Sequence, residues 1–316
     1  MYRSSIPKRV AESQILFPLS AVVATLLWWS PAHATSGHSI GGWALCMLTA
    51  YVLAETNNSN QLIRIRTRMV ASVWLLLIGS IGLTHEREGS ILAALCMAVS
   101  LYTLFRTYQL REPVTDAFHA LLFASLAGML VPTMLLLMPF YLWYLLVFMR
   151  VMSMRVLCAS LIGMLLPHLF AVSYSIWQGD FSFYTDLWTE LTTFIPIVET
   201  NYTSLTLQQA VSWGFASLIG LIGSIHYLFN YYNDKIKVRM LLYVFVFQFV
   251  LIEAIVLLQP QWLERMLAPM VVSASPIIAH YFALTNSWIC TTLFLISIVA
   301  VITQTILTLW MSSMTF

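Results

Sequence analysis

A carboxylate inside an apolar helix is the group in this sequence with the most to explain, because lipid makes an unpaired charge costly and such residues are functional by default. Glu253 is that residue. It lies in the apolar block 240–258, about 20 Å along a helix counted from Met240 at ~1.5 Å per residue. Arg265, in the loop that follows, and His168, beside Pro167 in the block 156–177, are its candidate partners. His168 fits either a hydrogen-bonded packing group or a proton relay. A third constellation is the short connection Thr84-His85-Glu86-Arg87-Glu88. Carboxylates next to a histidine are the raw material of acid–base work or cation binding, and they also make an ordinary polar turn. The candidate polar set is therefore Glu253, His168, His85, Glu86, Glu88 and Arg265. No Gly-rich phosphate loop, zinc spacing or nucleophile elbow accompanies it. Catalytic residues stay unassigned, and neither a cofactor nor a metal is expected. His226 and His280 close apolar blocks and read as interfacial anchors. Cys46, Cys96, Cys158 and Cys290 all sit in apolar runs without a CxxC pair and read as small buried hydrophobes.

The elements that must position these groups follow from composition. Of 316 residues, 60% are hydrophobic and 9% charged, with a mean hydropathy of +0.83. A soluble domain carries about 25% charged residues. So low a charge content excludes a soluble enzyme, a nucleic-acid binder and a disordered tail. Apolar blocks run over 15–29, 40–54, 69–84, 91–105, 117–131, 133–149, 156–177, 207–229, 240–258, 267–284 and 288–310. The expected fold is all-α: one polytopic transmembrane bundle over 1–316 with eleven spans. Several blocks are short for a crossing, which thinning and flanking aromatics accommodate. Residues 117–149 read as two spans, because Pro132-Thr133 places a turn in their middle. A basic start, an apolar run and Ala32-His33-Ala34 also resemble a cleavable leader, which would leave ten spans.

Orientation is an independent test. With odd spans running outward, Arg3, Lys8, Arg9, Arg64, Arg66, Arg68, Arg106, Arg111, Arg150, Arg155, Lys235, Lys237 and Arg239 share the cytoplasmic side. Only Arg87 and Arg265 face outward, as the positive-inside rule favours. The N-terminus is then inside and the C-terminus outside. Basic clusters and aromatic helix ends recur, suggesting repeated short hairpins packed side by side. Small residues supply close-approach signals: Ala120, Ala124 and Gly128; Ala159 and Gly163; Gly214, Ser217, Gly220 and Ser224. The outer loop 178–205 holds Tyr184, Leu187, Trp188, Leu191 and Phe194 at helical spacing, an amphipathic helix for the interface. Thr206 and Gln209 form a capping box for the next span.

The last third resembles an uncharacterised family of polytopic inner-membrane proteins from Bacteroides-type bacteria. The carrying residues are Asn233-Asp234-Lys235 through Arg239, Gln259-Pro260 and Ser275 through Thr285, with a looser likeness over Phe118–Pro167. The resemblance implies a bacterial cytoplasmic membrane and no catalytic residues. Three functions are compatible with this pattern. The first is handling of a lipid-linked or amphiphilic envelope precursor, as a flippase-like or accessory component. The second is a polyprenyl-phosphate-dependent glycosyltransferase, although its expected acid is missing from the first outer loop. The third is a non-catalytic scaffold for another membrane protein. Membrane lipid is the common partner, and nucleic acid is none.

Overall fold

The computed structural model describes residues 5–29, 40–81, 88–195, 202 and 205–314. His85, Glu86, Arg87 and the Ala32-His33-Ala34 segment lie outside them. The described chain is helical, without a strand. Its helices are α1 (Ile6–Glu12), α2 (Leu16–Trp28), α3 (Ile40–Asn60), α4 (Met69–Ser80), α5 (Glu88–Arg106), α6 (Val114–Leu130), α7 (Met138–Val147), α8 (Met154–Gln178), α9 (Ser182–Thr192), α10 (Leu207–Asn230), α11 (Ile236–Leu258), α12 (Leu263–Leu284) and α13 (Trp288–Met314). Six stretches are long and apolar enough to cross a membrane: α5, α8, α10 with the turn after it, α11, α12 with the turn before it, and α13. The pair α1 and α2, bent by 90° at its break, makes a seventh if it is one span.

Local signals act as the chemistry of helix ends requires. Ser153 accepts from the Val156 N–H at the start of α8, and Gly179 ends that helix at φ 69°, a left-handed turn that glycine adopts without strain. At the start of α10 the capping box of Thr206 and Gln209 is complete. Between α6 and α7 a tight 3-10 stretch, Pro132–Leu137, reverses the chain. The Gln109 N–H then donates to the Met149 carbonyl (3.1 Å), so the chain leaves along α6 and returns along α7 to the same end.

The packing is interleaved, not a row of hairpins. α2 lies mainly on α4, α3 on both α4 and α5, and α6 on α5 and α8, while α2 and α3 barely touch. The reason is steric. Small faces let backbones approach closely between consecutive helices, as for α5 and α6, and between non-consecutive ones, as for α6 and α8. A Cβ added at Gly163 would collide with the Phe118 carbonyl of α6, and Ser125 donates across the same seam to the Met164 carbonyl (2.7 Å). Gly214 is exposed and meets nothing within 4 Å, so the stripe expected on α10 begins only at Ser217.

α12 runs through the middle, against α4, α5, α10 and α11. It is buried almost throughout and contains Pro269 and Pro276. A proline cannot donate to the carbonyl four residues back. The carbonyl that Pro269 leaves free, that of Arg265, accepts instead from the Ser90 hydroxyl of α5 (2.8 Å). The kink is thereby satisfied from a neighbouring helix, as buried backbone requires.

Candidate functional site

Glu253 is buried between α10 and α11. Trp213 and Ser217 stand one helical turn apart on α10, so both point at the same place. The Trp213 indole N–H donates to Glu253 Oε2 (3.1 Å), and the Ser217 hydroxyl donates to Oε1. Neither expected partner is used. Arg265 pairs instead with Glu190 of α9, because α9 comes back to the N-terminal end of α12. His168 is half-buried on α8, and its carbonyl accepts from the Tyr184 hydroxyl (2.8 Å). Glu88 is exposed at the first turn of α5, where a carboxylate complements the helix dipole. Among the described residues, then, the sequence-derived set does not converge. Glu253 is a satisfied interhelical group, and Arg265 fixes a loop.

That loop is docked in detail. Gln259 pairs with the Ile195 backbone in both directions, accepting from its N–H (3.0 Å) and donating to its carbonyl (2.9 Å). Phe194 packs edge-on against Trp262. Tyr184 and Leu187 are half-buried while Trp188 is exposed, as an interfacial helix would present them. Just ahead of α9, Asp180 accepts from the Ser182 N–H and hydroxyl, which holds its carboxyl below the ordinary value.

A polar cavity of about 980 Å³ lies at the opposite end of the bundle. Its walls are the α1–α2 corner (Glu12, Ser13, Gln14), the last turn of α3 (Asn57, Asn58, Gln61) and the segment Ile63–Arg68. In that segment exposure alternates: Arg64, Arg66 and Arg68 are exposed, Ile63 and Thr67 buried. All three arginines line the cavity. The segment is stapled in place. Asn57, buried, donates to the Thr67 carbonyl (3.0 Å) and accepts from the Ile63 N–H (3.2 Å). Thr67 donates to the Ala11 carbonyl (2.6 Å), closing α1 onto the segment. Thr67 also accepts from the Met69 N–H, capping α4 (3.1 Å).

The three arginines differ in their surroundings. The Arg68 guanidinium sits over the Phe17 ring, 5.7 Å from its centroid. Arg66 makes no ion pair among the described residues. Arg64 Nε lies 3.0 Å from Asp234 Oδ1. Asp234, in the turn between α10 and α11, has a side chain only 1% exposed, and its other oxygen meets His280 Nε2 of α12 at 2.9 Å. His280 is therefore held by a buried carboxylate and is not an interfacial anchor. Sequence reading missed this end of the molecule for two reasons. Its arginines read as topology markers, and Asp234 stood in an unremarkable polar turn. The one available signal was Arg-Ile-Arg-Thr-Arg, whose strict alternation separates a presented face from a buried one. No protein-family model, curated protein or solved structure matches the chain, so the resemblance noted above stands on its residues alone.

Proposed function

We propose that this chain is a multi-pass membrane protein that holds an anionic amphiphile by its headgroup in the cavity walled by Arg64, Arg66 and Arg68. The observation that carries this reading is three arginines presented from one stapled segment into one cavity. Guanidinium groups bind phosphate and carboxylate through forked, charge-assisted hydrogen bonds. Asn58, Gln14 and Gln61 add neutral donors around them. At the membrane surface such a basic recess suits a lipid headgroup. It fits an accessory role in handling a lipid-linked envelope precursor.

The reading includes eleven crossings in a bacterial inner membrane, with the cavity on the cytoplasmic side. The crossings beyond the six long stretches would be α2, α3, α4, α6 and the 132–147 return. Loop contacts support it. Segments assigned inside touch one another: Arg64 with Asp234, Ser5 with Asn286, Arg155 with Glu112, and Thr67 with Ala11. Segments assigned outside do likewise: Arg265 with Glu190, Ser90 with Arg265, and Gln209 with Glu264. In a variant with its native cysteines replaced, Lys237→Cys should label from the cytoplasm and Asp186→Cys from outside; labelling of both from one side rejects the topology.

The binding test uses short-chain phosphatidic acid titrated into protein in neutral detergent. Wild type should bind, and Arg66→Gln/Arg68→Gln should bind at least tenfold more weakly, the loss expected for charge-assisted contacts. Equal binding by both proteins refutes the site. Inorganic phosphate run in parallel distinguishes a headgroup from a free ion. The scaffold reading draws on a different observation, the dispersal of the intramembrane polar groups. A stoichiometric membrane protein retained in mild detergent, with no lipid bound, would favour it.

A further inference from the structure

We propose that Asp234, braced by His280, is a positioning residue that fixes Arg64 at the cavity wall and so ties headgroup binding to the central helix α12; this rests on the headgroup reading above. Asp234 itself cannot reach a ligand, because its side chain is buried: Oδ2 meets His280, and Oδ1 lies 3.0 Å from Arg64 Nε as an ion pair without a hydrogen bond. Arg64 reaches in both directions. Its Nε faces Asp234, while the side chain is 49% exposed and lines the cavity. A guanidinium paired by charge at its Nε edge keeps its terminal nitrogens for a second anion. Arg66 has no such brace, and Arg68 rests on a ring. Among the described residues, Arg64 alone of the three is held by an ion pair.

The brace continues into the helices. His280 packs edge-on against Tyr227 of α10, ring centroids 5.1 Å apart. The hydroxyl of Tyr227 and Nε of Arg239 are buried beside it without a hydrogen-bond partner. A contact network that joins the 63–68 segment, the α10–α11 turn and α12 reaches the cavity through Arg64. An anion that pulls on Arg64 therefore acts on α12 through two short contacts.

Charge counting and positioning predict opposite signs, which makes the idea testable. Removing a carboxylate beside a basic cavity should strengthen anion binding if only net charge matters. If Asp234 positions Arg64, its removal should weaken binding. The experiment is a double-mutant cycle on the full-length protein, read by titration with short-chain phosphatidic acid. Asp234→Asn should weaken binding about tenfold with Arg64 present and by less than twofold in an Arg64→Gln background. Arg64→Lys, which keeps the charge and loses the fork, should match Arg64→Gln and not wild type. His280→Gln provides a milder second variant should Asp234→Asn fail to fold, and it should give the same direction with a smaller loss. Tighter binding by Asp234→Asn, or equal losses in both backgrounds, overturns the proposal while leaving the headgroup site intact. Loss of all dependence on Arg66 and Arg68 overturns the headgroup reading itself.

Discussion

The seam between α6 and α8 offers the sharpest test of the packing. In Gly163→Ala, the new methyl would lie 3.2 Å from the Phe118 carbonyl carbon and 3.3 Å from the Leu122 nitrogen, and closer still to the Phe118 oxygen. These are backbone atoms, which cannot rotate away. Comfortable separation at carbon is about 3.5–4.0 Å, so the helices must part by roughly 1 Å. Overpacking of this kind costs about 1–3 kcal/mol. Parting also stretches the Ser125–Met164 hydrogen bond, and an interhelical bond in a membrane averages about 0.6 kcal/mol. The expected destabilisation is therefore about 2–3 kcal/mol. Gly214→Ala is the matched control, since nothing stands near its Cβ. Alanine is also the better helix former by about 1 kcal/mol. Thermal unfolding in one detergent, followed by intrinsic fluorescence, should show a clear fall in midpoint for Gly163→Ala and none for Gly214→Ala. Equal midpoints for the two variants would refute the close approach of α6 and α8.

Glu253 should behave as a structural group. Glu253→Gln keeps an acceptor for Ser217 or Trp213 and should leave phosphatidic acid binding unchanged, with a small loss of stability in the same unfolding assay. Glu253→Leu strands both donors and should cost about 1–3 kcal/mol; a Glu253→Gln protein that folds normally yet fails to bind would contradict this assignment. Beyond α11, Gln259→Ala removes both bonds to Ile195 and should raise hydrogen exchange across α9 and residues 193–195. Glu190→Gln should do so less, because a half-exposed ion pair contributes about 1 kcal/mol or less. Unchanged exchange in Gln259→Ala would mean that the loop is held elsewhere.

The sequence was most readable where one residue type has one physical consequence. Pro132 turned the chain back, Thr206 with Gln209 capped α10, and the helical spacing that begins at Tyr184 falls on the helix Ser182–Thr192. It was less readable where the consequence depends on what lies across a gap. Gly163 and Gly214 look alike in a string, yet one faces a carbonyl and the other faces away from the protein. α3 runs on to Asn60, past the expected end at 54, because Asn57 and Asn60 are buried there and bonded to backbone. Glu253 was singled out correctly as needing partners, but both came from a helix forty positions upstream, at Trp213 and Ser217. Asp234 stood out only as part of the Asn233-Asp234-Lys235 turn. Its burial is created by Arg64 and His280, far from it in the chain, and no local pattern announces such a meeting.

The enclosure of α12 has a consequence for how the protein is made. The most apolar window of this helix is 94% buried, against 17% for α13 and 28% for α8. It is also less apolar than those two more exposed helices. A chain emerging from its N-terminus delivers α4 and α5 long before the helix that will cover them. Until synthesis passes residue 284, their inner faces must rest against lipid or against one another. The helix that completes the bundle arrives next to last and has little greasiness of its own to hold it in the bilayer. Its insertion should depend on neighbours already in place, so a ribosome stalled before residue 263 would leave a half-assembled protein with an open seam.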